Sequence, residues 1–196
     1  MKKIVSFVLV LIMCVVAFTA CGGDEKPTAS NGDDSGSAVQ DSTYDVGQFT
    51  VIVPGGWMAI PVMDTFGTDP NAKKTDTIRV CKDAKSEFDI LSKPYAEIIL
   101  WDDTQGVMPL KSIYDNVVDL EAFTTGDHTW TGFSAETSLG QKLTILWEDT
   151  GDLQYQVNMW TDTTDGKISL EDEDVKKLLG SIKVNKSADA TTESAE

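Results

Sequence analysis

Three runs between His128 and Asp162 constrain this chain most: "HTWTGFSAETS", "QKLTILWED" and "DLQYQVNMWTD". In the last, Leu153, Tyr155, Val157 and Met159 alternate with Gln154, Gln156 and Asn158. Side chains on a strand point to opposite faces in turn, so a period of two buries one set and wets the other. Gly140 and the Asp149–Asp152 stretch interrupt the runs. They therefore read as three consecutive antiparallel strands joined by turns.

The same period appears upstream. In "GQFTVIVPGGWMAIPV", Phe49, Val51 and Val53 alternate, Pro54 ends the strand, and Gly55 and Gly56 turn the chain back into Trp57, which is expected to be buried. "TDTIRVCK" alternates Ile78 with Val80, and the more continuously apolar "PYAEIILW" reads as a central strand. In "LKSIYDNVVDLEAF" the period changes, because Ile113, Val117 and Leu120, with Tyr114 and Val118 beside them, recur at helical spacing. A second helix is expected over about Leu170 to Ile182, with Val175, Leu178, Leu179 and Ile182 as its apolar stripe. Strands, helix, strands, helix is the order of an α+β fold: a mainly antiparallel β-sheet with helices packed on its faces.

Residues outside this region carry other information. Lys2 and Lys3 precede the apolar run "IVSFVLVLIMCVVAF", which ends in Thr19, Ala20 and then Cys21. This resembles a bacterial lipoprotein signal, in which cleavage before the cysteine leaves a thiol that carries diacylglycerol. Phe18 stands where the usual pattern has Leu. The run is short for a membrane-spanning helix. Residues 1–20 are accordingly expected to be a signal peptide and Cys21 the lipidation site. The stretch "GGDEKPTASNGDDSGSAVQDST" holds almost no large apolar residue, so residues 21–43 read as the lipidated cysteine and a disordered tether. Residues 185–196 read as a second polar tail, which leaves residues 44–184 as one domain. The implied location is the cell membrane, lipid-anchored, on its extracytoplasmic face.

Charge narrows the partners. Without the signal peptide, 14 basic residues face 32 acidic ones, a balance of −18. Phosphate backbones and anionic head groups repel such a chain, so no nucleic-acid partner is expected and the lipid is left to hold the membrane. Cys14 leaves with the signal peptide and Cys21 carries the lipid. Only Cys81 then remains free, so no internal disulfide framework is expected.

The strand ending in Pro54, Gly56 and Trp57, followed by a helix, a three-strand meander and a terminal helix, resembles PsbP-like domains. "SKPYAEI" and "TWTGFSAE" are similar to segments of small Gram-positive lipoproteins of unassigned role. The resemblance implies a PsbP-like α/β/α sandwich that serves as a docking or assembly module. It transfers no functional residue.

Chemical motifs are sparse. "TDTTDGKISLED" carries the Asp-Gly-x-Ile core of an EF-hand loop, but in register Thr161 and Thr163 stand where ligands belong and Asp172 replaces the closing Glu. The expected reading is a turn at Asp165 and Gly166, with Ser169 capping the last helix and Asp172 completing a capping box. No metal or cofactor is implied. Three strand ends place an acid near a Trp, which makes Trp101, Asp102, Trp147 and Trp160 candidate contacts for a ligand or partner. Hairpin pairing would set Trp160 opposite about Gly140, seven residues and over ~20 Å from Trp147. His128, the only histidine, reads as a surface or edge residue too far along its strand from Ser134 to form a triad. The leading expectation is a non-enzymatic module that binds or scaffolds an envelope partner. A small-molecule or glycan binder comes second and a hydrolase third.

Overall fold

The computed structural model describes residues 39–101 and 109–185. The expected signal peptide, Cys21 and most of the expected tether lie outside the described residues, as does the tail from 186. Eleven strands and one α-helix follow in order among those described. They are β1 (Ser42–Asp45), β2 (Phe49–Val53), β3 (Met58–Met63), β4 (Lys73–Cys81), β5 (Tyr95–Trp101), β6 (Asp115–Thr125), β7 (His128–Glu136), β8 (Lys142–Asp149), β9 (Gln154–Thr163), β10 (Gly166–Lys167), α1 (Glu173–Gly180) and β11 (Lys183–Val184). The large sheet has the order β3-β4-β5-β9-β8-β7-β6, with β10 folded back on β9. A small sheet has the order β1-β2-β11. Each of these pairings is antiparallel.

Alternation along the strands selects the core. Ile78 and Val80, Ala96, Ile98 and Leu100, then Tyr155, Val157 and Met159 share one face of the large sheet. That face closes against Phe49, Val51 and Val53 of β2 and against Val175, Leu178 and Leu179 of α1. Burying each such side chain contributes about 1.5–3 kcal/mol. Trp57 joins this cluster at 9% exposure, as its place after the Pro54 turn predicts. The end of α1 docks on the β6–β7 turn at a contact only glycine allows. A Cβ on Gly126, whose φ is +60°, would stand 2.3 Å from the Gly180 carbonyl oxygen. The Thr125 hydroxyl donates to the Lys176 carbonyl at 3.0 Å beside it.

The mainly antiparallel sheet forms as expected, but among the described residues the helices expected on both of its faces do not. Among the described residues there is one α-helix, and it lies with the small sheet on one face. The helix anticipated over the "LKSIYDNVVDLEAF" run is instead a single 3-10 turn, Lys111–Ile113, followed by strand β6. Two β-bulges explain the false period. Asp115 and Val118 face Glu136 and Ser134, while Leu120 and Phe123 face Gly132 and Trp130, so β6 gains one residue at each step. A bulge stretches the spacing on its face from two to three. Tyr114 and Val117 pack on one face of the sheet across the first bulge, and Leu120 and Phe123 pack on the other across the second. Apolar residues at three-residue steps then mimic a helix. Asn116, at φ +51°, sits in the first bulge.

Three boundaries also move. Ser42 and Thr43 pair with Val53 and Ile52, and the Asp41 carboxylate meets Lys177 at 2.9 Å, so the fold reaches into the segment expected to be tether. At the other end Asn185 donates to the Gln48 carbonyl at 2.8 Å, which puts it inside the domain. Helix α1 starts at Glu173 with Asp172 as its N-cap residue, not Ser169. Ser169 and Asp172 close the preceding turn instead: the Ser169 N–H donates to Asp172 at 3.0 Å and the Glu171 N–H to the Ser169 hydroxyl at 3.2 Å.

Candidate functional site

The other face of the large sheet carries no α-helix among the described residues. Cross-strand register arranges it in rows. One row runs Thr77, Ile99, Gln156, Trp147, Thr131; the next Arg79, Glu97, Asn158, Ile145, Phe133; the third Cys81, Tyr95, Trp160, Leu143, Ala135. Short segments cover the two flanks. Tyr114 and Val117 pack on Phe133, Leu143 and Ile145, while Ile90 of the Glu87–Leu91 3-10 turn packs near Ile60, Cys81 and Ala84.

Between these walls the floor is polar. The Trp101 indole N–H donates to Gln156 at 3.2 Å, and the Gln156 amide donates to Asn158 at 2.9 Å. Glu97, opposite Asn158, accepts from Arg79 at 2.8 Å. Gln154, paired with Trp101 at the end of this ladder, has its Oε1 buried without a partner. An unsatisfied buried acceptor costs about 1–3 kcal/mol.

At the third row the face opens into a cleft of about 530 Å³, lined by Leu91, Tyr95, Trp160, Lys142 and Asp162 among others. Tyr95 and Trp160, directly opposite in register, stack with centroids 4.4 Å apart and planes 12° from parallel. Asp162 lies between Lys167 at 3.0 Å and Lys142 at 3.5 Å, and its hydrogen bond to Lys167 holds its carboxyl below the usual range. Burial pushes the Tyr95 hydroxyl up to about 12 and the Cys81 thiol up to about 11. The Glu97 and Asp162 carboxylates are paired ions, and the phenol and thiol stay protonated at neutral pH. What the face offers a ligand is neutral amides, paired charges and aromatic edges.

The described candidates named from the sequence lie in three separate places on this face. Trp101 joins the amide ladder. Trp147 packs against Phe133 at 6.2 Å, and Trp160 belongs to the stack. Asp102 lies outside the described residues. Trp160 pairs with Leu143, so it stands four residues from Trp147 along β8, roughly 13 Å, instead of the expected seven. The two rings still serve different clusters. Glu148, beside Trp147 in sequence, turns to His128 on the core side of the sheet.

That contact also corrects the reading of His128, which is 8% exposed. Its Nδ1 meets the Glu148 carboxylate and its Nε2 lies 2.7 Å from the Ile182 carbonyl. The ring is a packing element between Trp130 and Tyr155, with both nitrogens engaged. The EF-hand remnant is a hairpin: β9 turns at Thr164 and Asp165 into β10, and the Asp165 N–H donates to the Ser92 carbonyl at 2.9 Å. Among the described residues no group of three or more His, Cys, Asp or Glu is placed to hold a metal ion. The alternation in the sequence puts Gln154, Gln156 and Asn158 on one face without marking them as a site. An unbroken run of amides, where a solvent face would carry charges, is the signal that could have found them.

No family model and no curated protein sequence matches this chain. Among solved structures, the chain is similar to the solution structure of cyanobacterial PsbP (CyanoP) from Synechocystis sp. PCC 6803. The likeness has 9% sequence identity and a TM-score of 0.37, over 82% of this chain and 100% of that one.

Proposed function

We propose that this chain is an extracytoplasmic lipoprotein, anchored through Cys21, whose domain binds a protein partner of the cell envelope on the second face of its large sheet. The observation that carries the reading is the amide ladder from Trp101 through Gln156 to Asn158. A purely solvated face favours charges and a core face favours apolar groups. Amides edged by Trp suit hydrogen bonding to a peptide backbone. A tether on Cys21 would hold this face within reach of other envelope proteins.

The stacked aromatics count against a glycan platform. Tyr95 covers one face of Trp160, and Leu143 flanks it in the same row. A histidine-based hydrolase has no support in this geometry, because the only histidine has both ring nitrogens occupied. The test is a photoreactive residue at Asn158, compared with one at the exposed Glu121 on edge strand β6, in the native envelope. A protein adduct from position 158 and none from 121 supports the face. Equal adducts, or none at 158, refute it. Fatty-acid labelling that disappears in Cys21→Ser tests the anchor separately.

A further inference from the structure

We infer that His128 and Glu148 form a latch closed by one proton, which fastens residues 182–185 to the large sheet and releases them as pH rises. The latch lies on the core side of that sheet and is independent of the partner face.

The atoms around the ring require the proton. A backbone carbonyl only accepts hydrogen bonds, so Nε2, 2.7 Å from the Ile182 carbonyl, carries a hydrogen. The neutral ring then has a bare lone pair at Nδ1, and Nδ1 faces the Glu148 carboxylate. Two bare acceptors in contact repel, so a proton lies between them, whichever atom holds it. The pair is buried, and water does little to screen that repulsion. The other Glu148 oxygen is committed to the Thr129 N–H at 2.7 Å, which keeps the carboxylate from turning away. Losing the proton therefore opens the contact. Tyr155 is the other titratable side chain against the ring, meeting it edge-on at 5.2 Å. Burial, and then the Glu148 charge, push its hydroxyl up, so it keeps its own proton through the neutral range. Asp127 and Lys183, the charges beside the ring and the Ile182 carbonyl in sequence, are exposed. Histidine is the side chain whose charge changes in the neutral range, which makes this proton the one that responds there.

What the latch holds is short. Ile182 is buried just beyond the end of α1, where the Ser181 hydroxyl accepts the Ile52 N–H at 2.8 Å. After it Lys183 and Val184 pair with Thr50 and Phe49 of β2, and Asn185 reaches Gln48, Asp45 and Gly47. Those partners belong to the small sheet, whereas His128 ties the segment to the large one. A strand of two residues holds weakly by itself. Opening it bares β2 at Phe49 and Thr50, an edge of the kind that accepts another strand. The fold thus carries a strand edge whose exposure follows pH.

A contact that needs a proton is favoured where protons are plentiful and weakens as pH rises, by at most about tenfold per pH unit for one proton. The experiment follows amide exchange by mass spectrometry on the chain isolated in detergent, with rates corrected for the intrinsic effect of pH. In the wild type, protection of residues 182–185 should fall by about tenfold or more between about pH 6 and about pH 9, while the centre of β9 keeps its own. In Glu148→Gln the amide can accept from Thr129 and donate to Nδ1 without an added proton, so protection should stay within about twofold. Flat protection in the wild type, or a Glu148→Gln chain as steep as wild type, overturns the latch. If Glu148→Gln does not fold, nitrogen NMR of the wild-type His128 ring takes its place. A change at Nδ1 that tracks the loss of protection supports the latch, and protection lost without one overturns it.

Discussion

Replacing His128 with alanine removes a side chain that ties β7, β8 and the end of the helical segment together. Nδ1 faces the Glu148 carboxylate and Nε2 the Ile182 carbonyl, so both ring nitrogens are engaged. The other Glu148 oxygen accepts the Thr129 N–H at 2.7 Å. Side-chain exposures of 10% for His128 and 13% for Glu148 put the pair in the low-dielectric interior. Deleting the ring leaves a buried carboxylate with one partner instead of two, and breaking such a pair costs about 3–5 kcal/mol. That is a large share of the roughly 5–15 kcal/mol that stabilises a domain. At about 2–4 °C per kcal/mol for a domain of this size, Tm should fall by roughly 6–20 °C. Urea unfolding of His128→Ala, Glu148→Leu and the double variant forms a cycle whose coupling should reach about 2 kcal/mol. The carboxylate is absent from the double variant, so it should lose less than the sum of the singles. A His128→Ala loss below about 1 kcal/mol, or additive singles, would refute the account and return the ring to the surface.

Gly126→Ala should cost roughly 2–4 kcal/mol in urea unfolding, because its Cβ would strike the Gly180 carbonyl from a left-handed backbone; a neutral result would mean the helix end can shift away. A chain starting at Tyr44 should melt several degrees below one starting at Val39, since the longer chain keeps Ser42 and Thr43 of β1 and the Asp41–Lys177 contact; equal melting would make these residues dispensable. Cys81 links stability to alkaline pH. Burial raises its folded value to about 11 from 9.0, so the unfolded thiol ionises first and stability falls as pH rises from about 9 to 11. Cys81→Ala should flatten that slope, and an unchanged slope would place the cause elsewhere.

Strands with strict alternation are legible in the sequence alone, and so is the burial of Trp57. Each of those signals depends only on near neighbours along the chain. The β6 bulges hide a strand behind helical spacing, because a bulge is a relation between two strands and leaves no mark on one alone. His128 reads as a surface residue for a related reason. Its partners Glu148 and Ile182 lie 20 and 54 residues away, and nothing near position 128 announces them. The amide ladder joins Trp101 to Gln156 across 55 residues, so it becomes visible only with the β5–β9 register. Trp160 stands out in the sequence as an aromatic at a strand end, but its stacking on Tyr95, which changes what it can bind, comes from pairing.

The small sheet has a consequence for the order of folding. β2 is flanked by β1 on one side and β11 on the other. The Ile52 N–H donates to the Ser181 hydroxyl 129 residues later, and Asn185 reaches back 140 residues to Asp45. A growing chain holds β2 early, yet one of its edges stays open until nearly the whole domain has emerged. Contacts of such separation carry the largest loop-closure entropy and form late. The meander β7-β8-β9, joined by short turns, can assemble first and wait. Completion then falls to Lys183 to Asn185, the last described residues, which close the open side of β2 like a final stitch. A chain ending before Lys183 would expose a bare strand edge, the feature most prone to pairing with another chain.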